Sequence, residues 1–174
     1  ISDCLVGSEM CIRDSLIALG LVLIYITFRF QWRQGIAAII TLLHDVMVVV
    51  GIFSIFDKEF TLPVIAALLT VVGYSLNDTI VIFDRIRENI SKFRKRELLP
   101  LINQSVTETL SRTLLTSGTT LMVVLALVFL GGEIIHDFAF ALLVGVLIGT
   151  YSSIYVASPT VLWLTKIAPP KTSD

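Results

Sequence analysis

The stretch FTLPVIAALLTVVGYSLNDTIVIF, residues 60–83, decides the fold class. It stays apolar over the roughly 20 residues that a helix needs to cross a bilayer core. It shows none of the strict alternation of a membrane barrel strand. Within it stand Asn77 and Asp78, with Val71 and Val72 before them and Ile80 to Phe83 after. An ionisable group inside a span is costly and therefore marks a candidate functional site.

Working outward, four more segments qualify or nearly qualify as spans: Leu16 to Phe30, Gly35 to Phe56, Thr113 to Leu130 and Phe138 to Thr165. The first is short and is expected to start a few residues earlier in an intact protein. The expected fold is an all-α membrane protein, a five-span helical bundle over residues 16–165 with a cytoplasmic tail at 166–174. Composition agrees: 55% of the residues are hydrophobic and 16% charged, against about 25% charged in a soluble domain. Mean hydropathy is +0.88. The net charge of −1 suggests no nucleic-acid partner. Residues 1–15, ISDCLVGSEMCIRDS, lack periodicity and hold both cysteines, Cys4 and Cys11. They have neither signal-peptide layout nor a metal or redox spacing, and read as a non-native or disordered leader.

Basic residues fall in alternate connections. Arg29 and Arg33 lie in the first, Arg85, Arg87, Lys92, Arg94, Lys95, Arg96 and Arg112 in the third, and Lys166 and Lys171 in the tail. The positive-inside rule puts these in the cytoplasm, so residue 16 begins outside and the C-terminus is cytoplasmic. Segment 85–112 has Ile86, Ile90, Phe93, Leu98, Leu99 and Ile102 at roughly helical spacing with basic residues between. This predicts an amphipathic helix on the cytoplasmic membrane lipid, broken by Pro100. A docking surface for a cytosolic partner is the alternative.

The polar residues inside the spans are few. His44 and Asp45 fall mid-way in the second, and as neighbours they point about 100° apart and form no pair by themselves. Asp78 lies six residues before Asp84, about 9 Å from the cytoplasmic edge. A carboxyl there needs a partner, water or its own proton. Thr70, Gly73, Asn77 and Asp84 make a polar stripe on the same helix, with Tyr74 and Asp78 beside it. The fourth span opens with Arg112, Thr113, Thr116, Ser117, Gly118, Thr119 and Thr120. Such a run suits a helix lining a hydrated cavity or packing closely on a neighbour. Alternatively, its hydroxyls bond their own backbone. Arg112 is the natural counter-charge for Asp78, with snorkelling to headgroups as the bland alternative.

The fifth span repeats a small residue every fourth position: Ala141, Gly145, Gly149, Ser153 and Ala157. That ridge lets another helix backbone come close. Pro159 is expected to kink the helix near its cytoplasmic end.

The segments GYSLNDTIVIFDRIREN (73–89), SRTLLTSGTT (111–120), GVLIGTYSSIYVASP (145–159) and LLHDV (42–46) together resemble the SecF family. These are the smaller membrane subunits of SecDF protein-export complexes, related to the RND transporters. The resemblance covers essentially residues 16–165. It implies a six-span protein with a large periplasmic domain between its first two spans, of which this chain would be a C-terminal fragment. It further implies that proton flow through the membrane part drives periplasmic motion that assists export of unfolded polypeptide through SecYEG. SecD is the implied partner, with YajC as a further candidate. Localisation would be a bacterial or archaeal cytoplasmic membrane.

The resemblance ties proton coupling to an aspartate and an arginine that match Asp78 and Arg112. Asn77, Thr116, Ser117, Thr120, His44 and Asp45 form the supporting polar lining, and Gly145, Gly149 and Ser153 the packing ridge. Such coupling is mechanical. No enzymatic activity, metal or organic cofactor is expected, and the coupling ion is H⁺ or Na⁺. Two rivals remain at this point. One is the membrane half of an RND-type small-molecule exporter. The other is an intramembrane aspartyl protease using Asp45 and Asp78, whose carboxyls would have to share a proton at close range.

Overall fold

The computed structural model describes residues 32–92 and 98–167, with short helical pieces at 13–14, 17–18, 20–22 and 24–25. Most of the expected first span, 16–30, lies outside the described residues, as do nearly all of the leader and most of the tail. The described chain forms α1 (Trp32–Ile55), α2 (Leu62–Lys92), α3 (Leu98–Leu130) and α4 (Gly132–Ser152). A π-helical turn (Ser153–Ala157) then leads into α5 (Ser158–Ile167). Four helical stretches among these are long and apolar enough to cross a membrane.

The helices are longer than the apolar runs alone suggest. Segment 85–112 is not a separate helix broken at Pro100. Its two ends are continuations of α2 and α3. Pro100 stands in the first turn of α3, where a missing N–H leaves no helix bond unmade. The extension holds together because α2 and α3 fasten side by side. Buried Asn89 donates to Ser105 at 2.9 Å, and Arg85 pairs with Glu108. Intrahelical pairs of Glu88 with Arg85 and Lys92 line the exposed side.

Residue pairing fixes the directions. Gln34 reaches the Phe83 carbonyl and Asp45 meets Ser75, so α1 and α2 are antiparallel. Tyr74 meets Ser117 while Arg85 meets Glu108, so α2 and α3 are antiparallel as well. The α3–α4 turn needs both of its glycines. A Cβ on Gly131 would lie 2.3 Å from the Leu127 carbonyl oxygen, and Gly132 has a φ of 73°. That left-handed conformation is open to glycine without steric penalty.

The small-residue ridge of α4 packs on α2 in parallel register. Gly145 faces Val71, Gly149 faces Ser75, and Ser153 bonds Thr79 at 3.1 Å, each pair four residues beyond the last. With no side chain at either glycine, the backbones approach closely. The helix then changes pitch. Pro159 can give no N–H to Tyr155, and its ring would crowd that carbonyl in a regular α-helix. The π turn immediately before Ser158 takes up this mismatch.

Two apolar clusters result. One gathers Val49, Phe53, Val64, Ala67, Val71, Val124, Ala141, Leu142 and Val144 toward the α1–α2 turn. Phe53, Phe56, Phe60 and Phe140 extend it with ring contacts of 5.5–5.8 Å. The other gathers Ala37, Leu42, Leu76, Ile82, Phe83, Ile86, Ile102 and Val161 toward the Lys92 end. Between them runs a belt of buried polar side chains.

Candidate functional site

The belt takes residues from each of the four spanning stretches among the described residues. Asp45 of α1 is 1% exposed, and Ser75, Asp78 and Thr79 of α2 are 2%, 3% and 1% exposed. Thr113 and Ser117 of α3, Ser152 at the end of α4 and Ser153 of the π turn are also buried. Polar groups this deep are stable only where they find hydrogen-bond partners.

Most do. Ser75 Oγ donates to Asp45 Oδ2 at 2.5 Å, and the other oxygen of Asp45 lies 3.1 Å from His44 Nδ1. Sequence neighbours were expected not to pair, but the short side chains bend toward each other across the 100° between them. Asp45 faces the bundle, whereas His44 is 39% exposed. Ser117 bridges three helices: Tyr74 of α2 donates to it at 3.3 Å, and it shares a 2.8 Å bond with Thr150 of α4.

Among the described residues, the buried side-chain atoms without a partner are Gln34 Oε1, Ser158 Oγ and one carboxyl oxygen, Oδ2 of Asp78. Ser117 stands beside the Asp78 carboxyl, and Arg112 of the next helix is the charged residue that acts on it. Arg112 itself is exposed and forms no ion pair with Asp78. The two charges therefore interact at a distance, without a fixed bridge. A carboxyl held this way has weakly committed surroundings in either protonation state, which suits a group that takes up and gives up a proton.

Not every expected lining residue joins this site. Asn77, Gly73 and Thr70 are exposed, so the polar stripe of α2 faces away from the described helices. The buried face is the neighbouring one, carrying Val71, Ser75, Asp78, Thr79 and Ile82. In α3, Thr116 bonds the Arg112 and Thr113 carbonyls, and Thr120 the Thr116 carbonyl. Thr119 likewise bonds its own backbone. Of that hydroxyl run, Ser117 is the one that reaches other helices. Ser75, Thr79 and Thr150 were not anticipated. Their signal was the i, i+4 spacing of Ser75 and Thr79 against a ridge of matching period.

Asp45 and Asp78 make no hydrogen bond to each other, since the Asp45 oxygens are taken by Ser75 and His44. The shared-proton pair of an aspartyl protease is therefore not formed. No group of three or more His, Cys, Asp or Glu side chains suited to a metal ion occurs among the described residues. A pocket of about 400 Å³ lined by Val128, Phe129, Gly132, Glu133, His136 and Asp137 lies at the opposite end from Lys92, remote from Asp78.

The order and packing of these helices have a counterpart in known proteins. The family described as protein export membrane protein SecD/SecF, C-terminal, matches residues 7–167. The chain belongs to the SecD/SecF family. Protein translocase subunit SecF of Vibrio alginolyticus is 56% identical over 149 residues, which cover 86% of this chain and 47% of that protein. SecF of Pseudomonas aeruginosa is 50% identical, over 97% of this chain and 58% of its own length. SecDF of Thermus thermophilus is 54% identical, over 90% of this chain and 22% of its length. The crystal structure of that SecDF, a translocon-associated membrane protein, superposes with a TM-score of 0.85 at 51% identity, covering 90% of this chain and 22% of that one. A second SecDF crystal structure, in a super-membrane-facing form, gives 0.82 at 52% identity, covering 87% and 21%. The chain thus spans about half the length of the SecF relatives and about a fifth of SecDF. Its helical fold is that of the SecD/SecF membrane region.

Proposed function

We propose that this chain is the membrane portion of an accessory subunit of the Sec translocase, in which protonation of Asp78 couples the proton-motive force to protein export. The observation that carries the reading is the state of Asp78. It is buried in the polar belt, with one carboxyl oxygen unpartnered and the Arg112 guanidinium acting on it without a bond. Arg112 sets the charge felt by the carboxyl and helps reset it after proton release. Ser117 ties the carboxyl's surroundings to α2, α3 and α4 at once, so a change at Asp78 is felt by all three helices. Asp45 and Ser75 hold α1 onto the same belt.

The SecF and SecDF names of the relatives support membership of the Sec export machinery. On this reading the partners are SecD, the SecYEG translocon and the unfolded polypeptide in transit, with YajC as a further candidate. The protein is multi-pass in the bacterial inner membrane. The basic Lys92 end and the C-terminus are cytoplasmic, by the distribution of Lys and Arg. The work is conformational, so no covalent chemistry and no organic cofactor enter, and H⁺ is the coupling ion.

The test uses the complete export complex carrying this chain. Asp78→Asn keeps the shape of the side chain but cannot exchange a proton. It should abolish stimulation of export by the proton gradient while leaving the complex assembled. Gradient-stimulated export at the unsubstituted rate would refute the assignment.

A further inference from the structure

Arg112 is exposed and its guanidinium forms no hydrogen bond or ion pair among the described residues, although an acid stands one turn before it. Glu108 and Arg112 are i and i+4 on α3, the spacing at which opposite charges ordinarily meet. The explanation lies on the neighbouring helix. Glu108 Oε2 accepts from Arg85 Nε at 2.5 Å and from Asn89 Nδ2 at 3.2 Å. Its Oε1 accepts from Gln104 Nε2 at 2.9 Å. Gln104 is one turn before Glu108, so the carboxylate is drawn to the turn away from Arg112. Asn89 is buried and also bonds Ser105, which fixes this clasp against α3.

We infer that Arg85 and Asn89 are positioning residues that hold Glu108 off Arg112 and so leave the guanidinium charge undivided for Asp78. The inference rests on the proton-coupling reading of Asp78 and Arg112 and deepens it. Arg85 supplies Glu108 with a charge-assisted bond, and Asn89 and Gln104 add two more, a set of three that Arg112 alone would have to displace. Released from Arg85, the Glu108 carboxylate has Arg112 as its nearest cation on the same helix face. An ion pair between them would cancel much of the positive charge presented to Asp78. The clasp thus does more than fasten two helices. It removes a competing anion from beside the site.

The experiment compares Arg85→Gln, Glu108→Gln and the double variant in the complete export complex, in inverted membrane vesicles. The readout is the rate of export driven by a proton gradient, with Asp78→Asn run alongside. Arg85→Gln should slow gradient-driven export by about fivefold or more, the scale of a single coupling between charged sites. Glu108→Gln alone should stay close to the unsubstituted rate, and adding it to Arg85→Gln should restore export. Arg85→Lys, which keeps a cation on Glu108, should retain function.

A purely structural clasp gives a different pattern, with Glu108→Gln as damaging as Arg85→Gln and the double variant no better. That pattern, or an unimpaired Arg85→Gln, overturns the inference. Should Arg85→Gln not accumulate in the membrane, Asn89→Ala with and without Glu108→Gln decides by the same rescue. Full gradient response in Asp78→Asn would instead sink the underlying reading. Loss in Asp78→Asn without rescue by Glu108→Gln sinks only the clasp.

Discussion

Gly145 of α4 receives Val71 of α2 in a gap with no room for another side chain: a Cβ there would lie 2.1 Å from Val71 Cγ2. Four residues on, Ser75 occupies the corresponding gap at Gly149, where a Cβ would lie 3.2 Å from Ser75 Cβ. The same Ser75 donates to Asp45. Close helix packing and the buried polar belt are therefore one construction, since the glycines bring in the backbone whose serine satisfies the α1 carboxylate.

Gly145→Ala should destabilise the bundle by about 1–3 kcal/mol, the usual cost of overpacking. Trimming the obstructing side chain should relieve it, so Val71→Ala with Gly145→Ala should be more stable than Gly145→Ala alone. Thermal aggregation of the detergent-solubilised protein measures this, and absence of rescue would show that the contact is not the cause.

Ser75→Ala removes a donor from a carboxylate that is almost wholly buried. Leaving such an acceptor short of a partner costs about 1–3 kcal/mol. Asp45→Asn in the same background should recover part of the loss, because an amide needs that donor less than a carboxylate does. Thermal midpoints of the single and double variants in one detergent test the pair.

The hydroxyls of α3 should divide sharply. Thr116→Ala, Thr119→Ala and Thr120→Ala each remove a bond made only to the helix's own backbone. Each should change stability by no more than about 0.5 kcal/mol. Ser117→Ala loses bonds to both Tyr74 and Thr150 and should cost about 1 kcal/mol or more. Unfolding of the four variants under identical conditions checks the order.

The bundle was legible because apolar runs long enough to span a membrane leave few alternatives. The Gly145, Gly149 and Ser153 ridge was legible as packing because its period matches the helix. What it packs against was not, since no local pattern names Val71, Ser75 and Thr79 as its partners. Asp78 stood out by cost alone. The polar stripe of Asn77 and Gly73 lies on a face that the described helices leave uncovered, while the buried face beside it reads in sequence as merely apolar with small hydroxyls. The length of α2 and α3 was underestimated because Asn89, Ser105 and Glu108 fasten helix to helix with polar groups, which hydropathy cannot register. His44 and Asp45 were separated by an idealised helical wheel that ignores how short side chains bend.

The central claim is that Asp78 carries the coupled proton. The most direct measurement is proton flux into sealed vesicles containing the complete export complex under an imposed pH gradient, with Asp78→Asn against the unsubstituted protein. Gradient-driven flux that is present in the unsubstituted complex and lost in Asp78→Asn, with both complexes equally assembled, is the predicted result. Equal flux in the two would contradict it.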